Sequence, residues 1–501
     1  MSRLSLASSG RRPVQVLYIA LMYEFFGFNP LGYHTVNIVM IALAAVAFYL
    51  CLRELELSRS VALASPLLYA LLPHYSVSRF WVSASQTNLH LALMFVSFYS
   101  LLRACRREPG AFAWMALSCL AMWLSILAYE VAVPLFIVAA LFALYRTRAQ
   151  KRGSPRMAFA IFALYCLSFG CVVALKAGSS SRVSVRGMTV HRIVSSGTRR
   201  LLDLDPAVNA YGLNIRQAIG VNFGTFGVGM PRIAWESASL GRGLLAGSLL
   251  IFGAVSFYLF TSLRITDWPA IPFWWRIIGS GFVMFAAGYS IFLVTSDIQF
   301  TPTGIGNRTS IAATIGVGLV FTGCAGLLSS SVHSGPGRIL AFSIMVGLIS
   351  AASFAVVSRV ALDWEKAWTL QRSVLYDIRA RFPGLPPGTT LILDGVCPYV
   401  GPAIVFENSA DLAGALQILY RDPTLKADVV TPRLRFDASG VTSAMYDSEA
   451  HYRYGSSLLL FNRMEKLVVS LAEVATAERY FKRWNPTGCP PAHEGLGVKI
   501  F

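Results

Sequence analysis

A chain of 501 residues that is 55% hydrophobic and only 14% charged has too little polar surface to cover a soluble globule of its size. Its mean hydropathy is +0.57. Apolar runs recur near the ~20 residues that cross hydrocarbon as a helix, and they lack the alternation of a barrel strand. The net charge of +18 would suggest nucleic acid in a soluble protein. Here the basic residues sit between apolar runs, where they set topology and contact anionic lipid, so nucleic acid is excluded as a partner.

In chain order, Val14–Phe28 is apolar but fifteen residues long and contains Gln15 and Glu24. That length predicts a helix lying along the headgroups. Ten spans follow at about 33–54, 58–73, 82–104, 110–126, 130–146, 157–176, 243–264, 276–295, 309–329 and 338–360. Residues 177–242, rich in Ser, Arg and Gly, read as a long loop. Residues 361–501 read as a small α/β domain. Its expected helices are Trp364–Phe382, Ala410–Tyr420 and Glu465–Trp484, and its expected strands Thr390–Asp394, Ala427–Val430 and Ser457–Phe461. The expected fold class is an α-helical membrane bundle with a small C-terminal α/β extramembrane domain. Its parts are an N-terminal segment (1–32), a six-span half (33–176), the loop, a four-span half (243–360) and the tail.

Alternate connections carry the basic residues: Arg53 and Arg59; Arg103, Arg106 and Arg107; Arg146, Arg148, Lys151, Arg152 and Arg156; Arg264 and Arg276; and Arg338. The intervening short turns hold only Arg79 and Arg308. The first set is therefore cytoplasmic, with the 177–242 loop and the tail outside. The same rule puts the N-terminus, with Arg3, Arg11 and Arg12, outside without a signal sequence; the expectation is a preceding span missing from this chain or a different topology at this end. Arginine outnumbers lysine 36 to 7, which points to a GC-rich bacterial genome, and the expected location is the bacterial inner membrane.

Arg12-Pro13, then Gly32-Tyr33-His34-Thr35-Val36-Asn37, then Leu72-Pro73-His74, Trp81, and Tyr129-Glu130 with Pro134 form an ordered set. Over roughly residues 10–150 this set resembles the GT-C superfamily of membrane glycosyltransferases, in particular relatives of the tetratricopeptide-containing O-mannosyltransferases. The resemblance implies a GT-C-like bundle and a polyprenyl-phosphate-linked sugar as donor. Family members carry a catalytic acid just upstream of the Arg-Pro, yet Met1–Arg11 contains no Asp or Glu. The turn Tyr75–Arg79, where related families often keep a Glu, also lacks an acid.

Glycosyl transfer needs a carboxylate to take the acceptor proton and cations to hold the leaving phosphate. Glu130 and Asp297 are the external acids near the membrane surface and the catalytic candidates. In Thr301–Arg308, two glycines free the backbone while Asn307 and Arg308 offer donors to a lipid phosphate. Arg12, His34, His74 and Arg79 complete the binding candidates, whereas His90, between apolar neighbours, reads as bonded inside the bundle. No Cys/His spacing marks a metal site and no cofactor is named, although a divalent cation at the phosphate stays open. Asp394, Cys397 and Tyr399 follow a strand without forming a triad, and Cys397 and Cys489 would pair in an exported tail. A sugar-lipid flippase or transporter and a non-catalytic membrane relative are the competing readings.

Overall fold

The computed structural model describes residues 12–106, 110–149, 155–181, 215–294, 300–407, 409–431, 434–445 and 448–482. Two compact units divide between Ser358 and Arg359.

A helix stands at each of the ten expected spans: Pro30–Glu54, Arg59–Leu71, Gln86–Cys105, Ala111–Ala128, Val133–Ala149, Pro155–Ser181, Arg242–Ser262, Ile271–Ser290, Thr314–Ser329 and Gly335–Arg381, the last of which continues into the second unit. Six are long and apolar enough to cross a membrane, counting the short turn Val82–Ala84 with Gln86–Cys105. The others present shorter apolar stretches, such as Arg59–Leu71 and Thr314–Ser329. This is the architecture of an integral membrane bundle. Helix Pro13–Phe26 has 14 residues and exposes Leu17, Leu21, Tyr23 and Phe25. At about 1.5 Å per residue it falls short of hydrocarbon thickness.

Lipid offers no hydrophobic drive between helices, so close backbone approach and hydroxyl bonds hold them. Ser97 and Ser118 each donate to the other's carbonyl at 2.8 Å, clasping Gln86–Cys105 to Ala111–Ala128. Ser65 donates to Thr322 at 3.0 Å. Gly281 and Gly288 face Gly316 and Ala313 so closely that a Cβ on Gly288 would lie 2.5 Å from the Ala313 nitrogen. Buried Glu54 pairs with Arg103 (3.9 Å) and Arg106 at the ends of two neighbouring helices.

The loop expected over 177–242 needs correction in its described part. Residues 215–219 are α-helical, Gly220–Val228 is a π-helix and Met230–Ala238 is α-helical. The glycines that lowered its helix propensity are here wound into a segment that buries Val221, Asn222, Phe226, Met230 and Ile233. Helix Gly335–Arg381 also runs through the break expected near 361. Asp363 sits within salt-bridge range of Arg359 (3.7 Å) and Lys366 (3.9 Å), spacings that a helix surface accommodates.

The second unit holds β1 (Thr390–Asp394), β2 (Tyr399–Val400), β3 (Ala403–Ile404), β4 (Lys426–Val429), β5 (Arg435–Asp437), β6 (Gly440–Met445), β7 (Ser448–Arg453), β8 (Leu458–Asn462) and β9 (Leu467–Ser470). One sheet has the order β4-β1-β8-β9, with β1 parallel to β4 and β8, and β9 antiparallel to β8. β2 and β3 form an antiparallel pair, and β5-β6-β7 a separate antiparallel sheet. Leu391, Leu393, Ala427, Val429 and Phe461 pack with Ala367, Val374 and Ile378 and with Leu412 and Leu416 of helix Ser409–Tyr420. The alternate residues Ile392, Leu458 and Leu460 pack with Val441, Tyr452, Ala477 and Phe481. The expected helix from Glu465 is corrected to β9 followed by helix Val474–Lys482. Leu467-Val468-Val469 is β-prone and pairs back on β8 through a turn in which Lys466 adopts φ 53°.

Candidate functional site

Glu130 sits in the turn between helices Ala111–Ala128 and Val133–Ala149. His90 positions that turn. Its Nε2 accepts from the Ala132 amide (3.2 Å), which leaves the proton on Nδ1 to donate to the Ser125 carbonyl (3.0 Å). His90 is thus bonded inside the bundle, as its neighbours suggested.

Arg12 precedes Pro13 at the first position of its helix, where proline's fixed φ suits helix entry. Its guanidinium forks onto Glu130: Nε donates to Oε2 at 3.2 Å and Nη2 bonds Oε1. Lys176 donates to the same Oε2 at 2.8 Å and to the Ile126 carbonyl at 2.6 Å. Burial alone would raise the Glu130 pKa, but the hydrogen bond and charge of Arg12, with Lys176, hold it at about 2. The Arg12 guanidinium also lies 4.5 Å over the Tyr129 ring. Arg308, whose field also reaches Tyr129, lies 5.5 Å over the Trp81 ring. Among the described residues the Arg308 side chain has neither a hydrogen-bond nor an ion-pair partner.

Asn307 works inside the fold. Its Nδ2 donates to Pro302 O (2.7 Å) and Pro73 O (3.4 Å), and its Oδ1 accepts from Val77 N (3.2 Å) and Ser76 Oγ (3.4 Å). It thereby ties the Arg308 turn to the Pro73–Tyr75 turn. Asn307→Ala is expected to destabilise the protein by about 2–4 kcal/mol, since it strips partners from several buried groups at once. A shift in melting temperature of only a degree or so would contradict this.

His74 is fully buried on that second turn. Its Nε2 donates to the Asn222 carbonyl at 3.1 Å, and its Nδ1 has no partner. Burial pushes its pKa down to about 4, keeping it neutral. Arg79 donates to Leu72 O at 2.8 Å and lies 4.8 Å over the Tyr75 ring. His34, on Pro30–Glu54, is half-buried, and its imidazole makes no hydrogen bond among the described residues. Asp297 and Cys489 lie outside the described residues. Cys397 is disulfide-bonded.

The structure thus brings Arg12, Glu130, Tyr129, Trp81 and Arg308 together, and it adds three residues that sequence reasoning left out. Lys176 was signalled as the lone cation ending the apolar stretch Phe162–Lys176. Asn37 bonds the Ser78 and Arg79 carbonyls (2.9 and 3.0 Å), and Asn88 bonds Asn37 at 2.7 Å, so this pair shapes the chain leading to Trp81. In the sequence Asn37 is the last residue of the Gly32–Asn37 motif. Among the described residues no group of three His, Cys, Asp or Glu is placed to hold a metal ion. No family model matches the chain, and neither do any of the curated proteins or solved structures.

Proposed function

We propose that this chain is a GT-C-type membrane glycosyltransferase that moves a sugar from a polyprenyl-phosphate-linked donor to a lipid, glycan or protein acceptor on the outer face of a bacterial inner membrane. The observation that carries the reading is the pairing of Arg12 and Lys176 with Glu130 beside Tyr129, together with Arg308 over Trp81, whose charge reaches Tyr129 and whose side chain has no anionic partner among the described residues. Two cations on one carboxylate, with the guanidinium of Arg308 left over by Trp81, favour an anionic headgroup, and aromatic rings beside them suit the interface. The ordered motifs from Arg12-Pro13 to Glu130 support the same reading by resemblance.

In this scheme Arg308 and Arg12 hold the phosphate. Glu130 is the anion that fixes Arg12 and Lys176, and Asp297 takes the acceptor proton. Arg79, His74 and Asn307 hold the Pro73–Tyr75 turn that leads to Trp81, and His34 is assigned to the same binding set. A divalent cation at the phosphate is an open part of the scheme. The disulfide at Cys397 supports an exported tail, because such bonds persist in oxidising compartments.

The test uses the full chain in nanodiscs containing undecaprenyl phosphate, with lipid retention read by native mass spectrometry and consumption of a sugar-loaded polyprenyl phosphate read separately. Arg308→Ala is expected to weaken retention about 10–100-fold, the scale of a lost charged hydrogen bond. Unchanged retention in both Arg308→Ala and Arg12→Ala would discard the phosphate site. Lipid movement across the bilayer without sugar transfer would favour the flippase reading.

A further inference from the structure

Nine consecutive π-helical residues, Gly220–Val228, stand between two α-helical pieces. Such winding is rare, is found mostly as single turns, and recurs at functional sites. The sequence is made for it. The Gly229 amide bonds the Gly224 carbonyl at 2.8 Å, five residues back. A Cβ on Gly229 would lie 2.8 Å from Thr225 O and 3.3 Å from Gly224 O, so the π winding demands glycine there.

The buried side of this stretch grips His74. The Asn222 carbonyl accepts its Nε2–H, and the Phe226 ring stands 5.0 Å from its imidazole. From the same residue, Asn222 Nδ2 donates to Tyr289 Oη (2.7 Å), which shares a hydrogen bond with Ser310 Oγ (2.7 Å) at the end of the Arg308 turn. The chain His74–Asn222–Tyr289–Ser310 is buried throughout. It leaves His74 Nδ1 and Asn222 Oδ1 without partners. Two unpaired buried acceptors oppose the π form, which narrows the gap to any competing winding.

We propose that Gly220–Val228 is a two-state winding element: its π form locks His74 and joins it to the Arg308 turn, and rewinding to an α-helix releases both. Shifting the bonds from i→i+5 to i→i+4 turns Asn222 and Phe226 about the helix axis. That rotation withdraws the carbonyl and the ring from His74 and breaks the tie to Tyr289. His74 Nδ1, a free lone pair, then becomes reachable. The device is independent of which lipid or sugar the protein handles.

The test uses the full chain in nanodiscs, with hydrogen exchange and diethylpyrocarbonate labelling both read by mass spectrometry. In the unaltered protein, amides of 220–229 are expected to exchange at least tenfold faster than those of Met230–Ala238. Gly229→Ala, which opposes the π form, and Tyr289→Phe, which removes only the hydroxyl tie, are each expected to raise His74 labelling about tenfold while Gln86–Cys105 keeps its protection. Equal labelling of His74 in both variants and the unaltered chain overturns the proposal. So does protection of 220–229 equal to that of Met230–Ala238, a measurement that needs no variant to fold.

Discussion

Gly316→Leu is expected to break the packing of helices Ile271–Ser290 and Thr314–Ser329 and to remove most folded protein from detergent extracts. A Cβ at Gly316 would run into the Gly281 carbonyl and the Phe285 amide, both main-chain atoms of the facing helix. Side chains can change rotamer, whereas a backbone can yield only if the helices separate. Separation would also undo the contact of Gly288 with Ala313 and of Gly281 with Val320. Overpacking ordinarily costs about 1–3 kcal/mol, and a clash of main chain with main chain belongs at or beyond the top of that range. Gly279→Leu on the same helix is the control, because nothing lies within 4 Å of the Cβ it would add. Thermal unfolding followed by size-exclusion chromatography decides the matter. Equal melting temperatures for the two variants would refute the packing argument.

Glu130→Gln is expected to lower stability by about 1–3 kcal/mol, below the ~3–5 kcal/mol of a fully buried broken pair because these side chains are partly open to solvent. The amide keeps the shape but loses the charge, leaving Arg12 and Lys176 as like charges around one neutral group. Adding Lys176→Met should recover part of the loss, a coupling that a double-mutant cycle measures. The pH dependence has a definite sign. The folded-state pKa of about 2 lies below the ordinary 4.5, so the carboxylate's contribution is full above 4.5 and disappears as pH falls toward 2. The melting temperature of the unaltered protein should fall across that window more steeply than that of Glu130→Gln. Parallel curves would show that Glu130 is not the group responsible.

The ten helices were legible because hydropathy over some twenty residues is a long-range average that individual polar residues hardly disturb. Gly220–Val228 was not, since four glycines in Gly220–Gly229 read as loop when each is weighed by propensity alone. β9 was misread because Leu467–Ser470 is too short for its β-branched character to outweigh the helical residues after it. Within the site, Arg12 and Glu130 could be chosen by type and by resemblance. Their pairing across 118 residues is a tertiary fact that no local pattern encodes. Asn307 was chosen as a free donor, yet its amide is occupied by the turn it was expected to decorate. Buried asparagines in this unit, Asn37, Asn88 and Asn222 among them, repeat that lesson: each closes main-chain bonds that irregular backbone inside a membrane bundle must find.

The reach of Asn307 has a consequence for how the protein is made. Its Oδ1 completes the Val77 amide, a partner synthesised 230 residues earlier. At about 5–20 residues per second, the nascent chain carries that amide for some ten to fifty seconds before its acceptor leaves the ribosome. Through that interval the Val77 amide must find another acceptor, such as water, while the turn before it keeps its local bonds from Ser76 to Pro73 and from Tyr75 to Tyr69. Docking of the Arg308 turn onto the segment after Pro73 is therefore among the last contacts that synthesis allows.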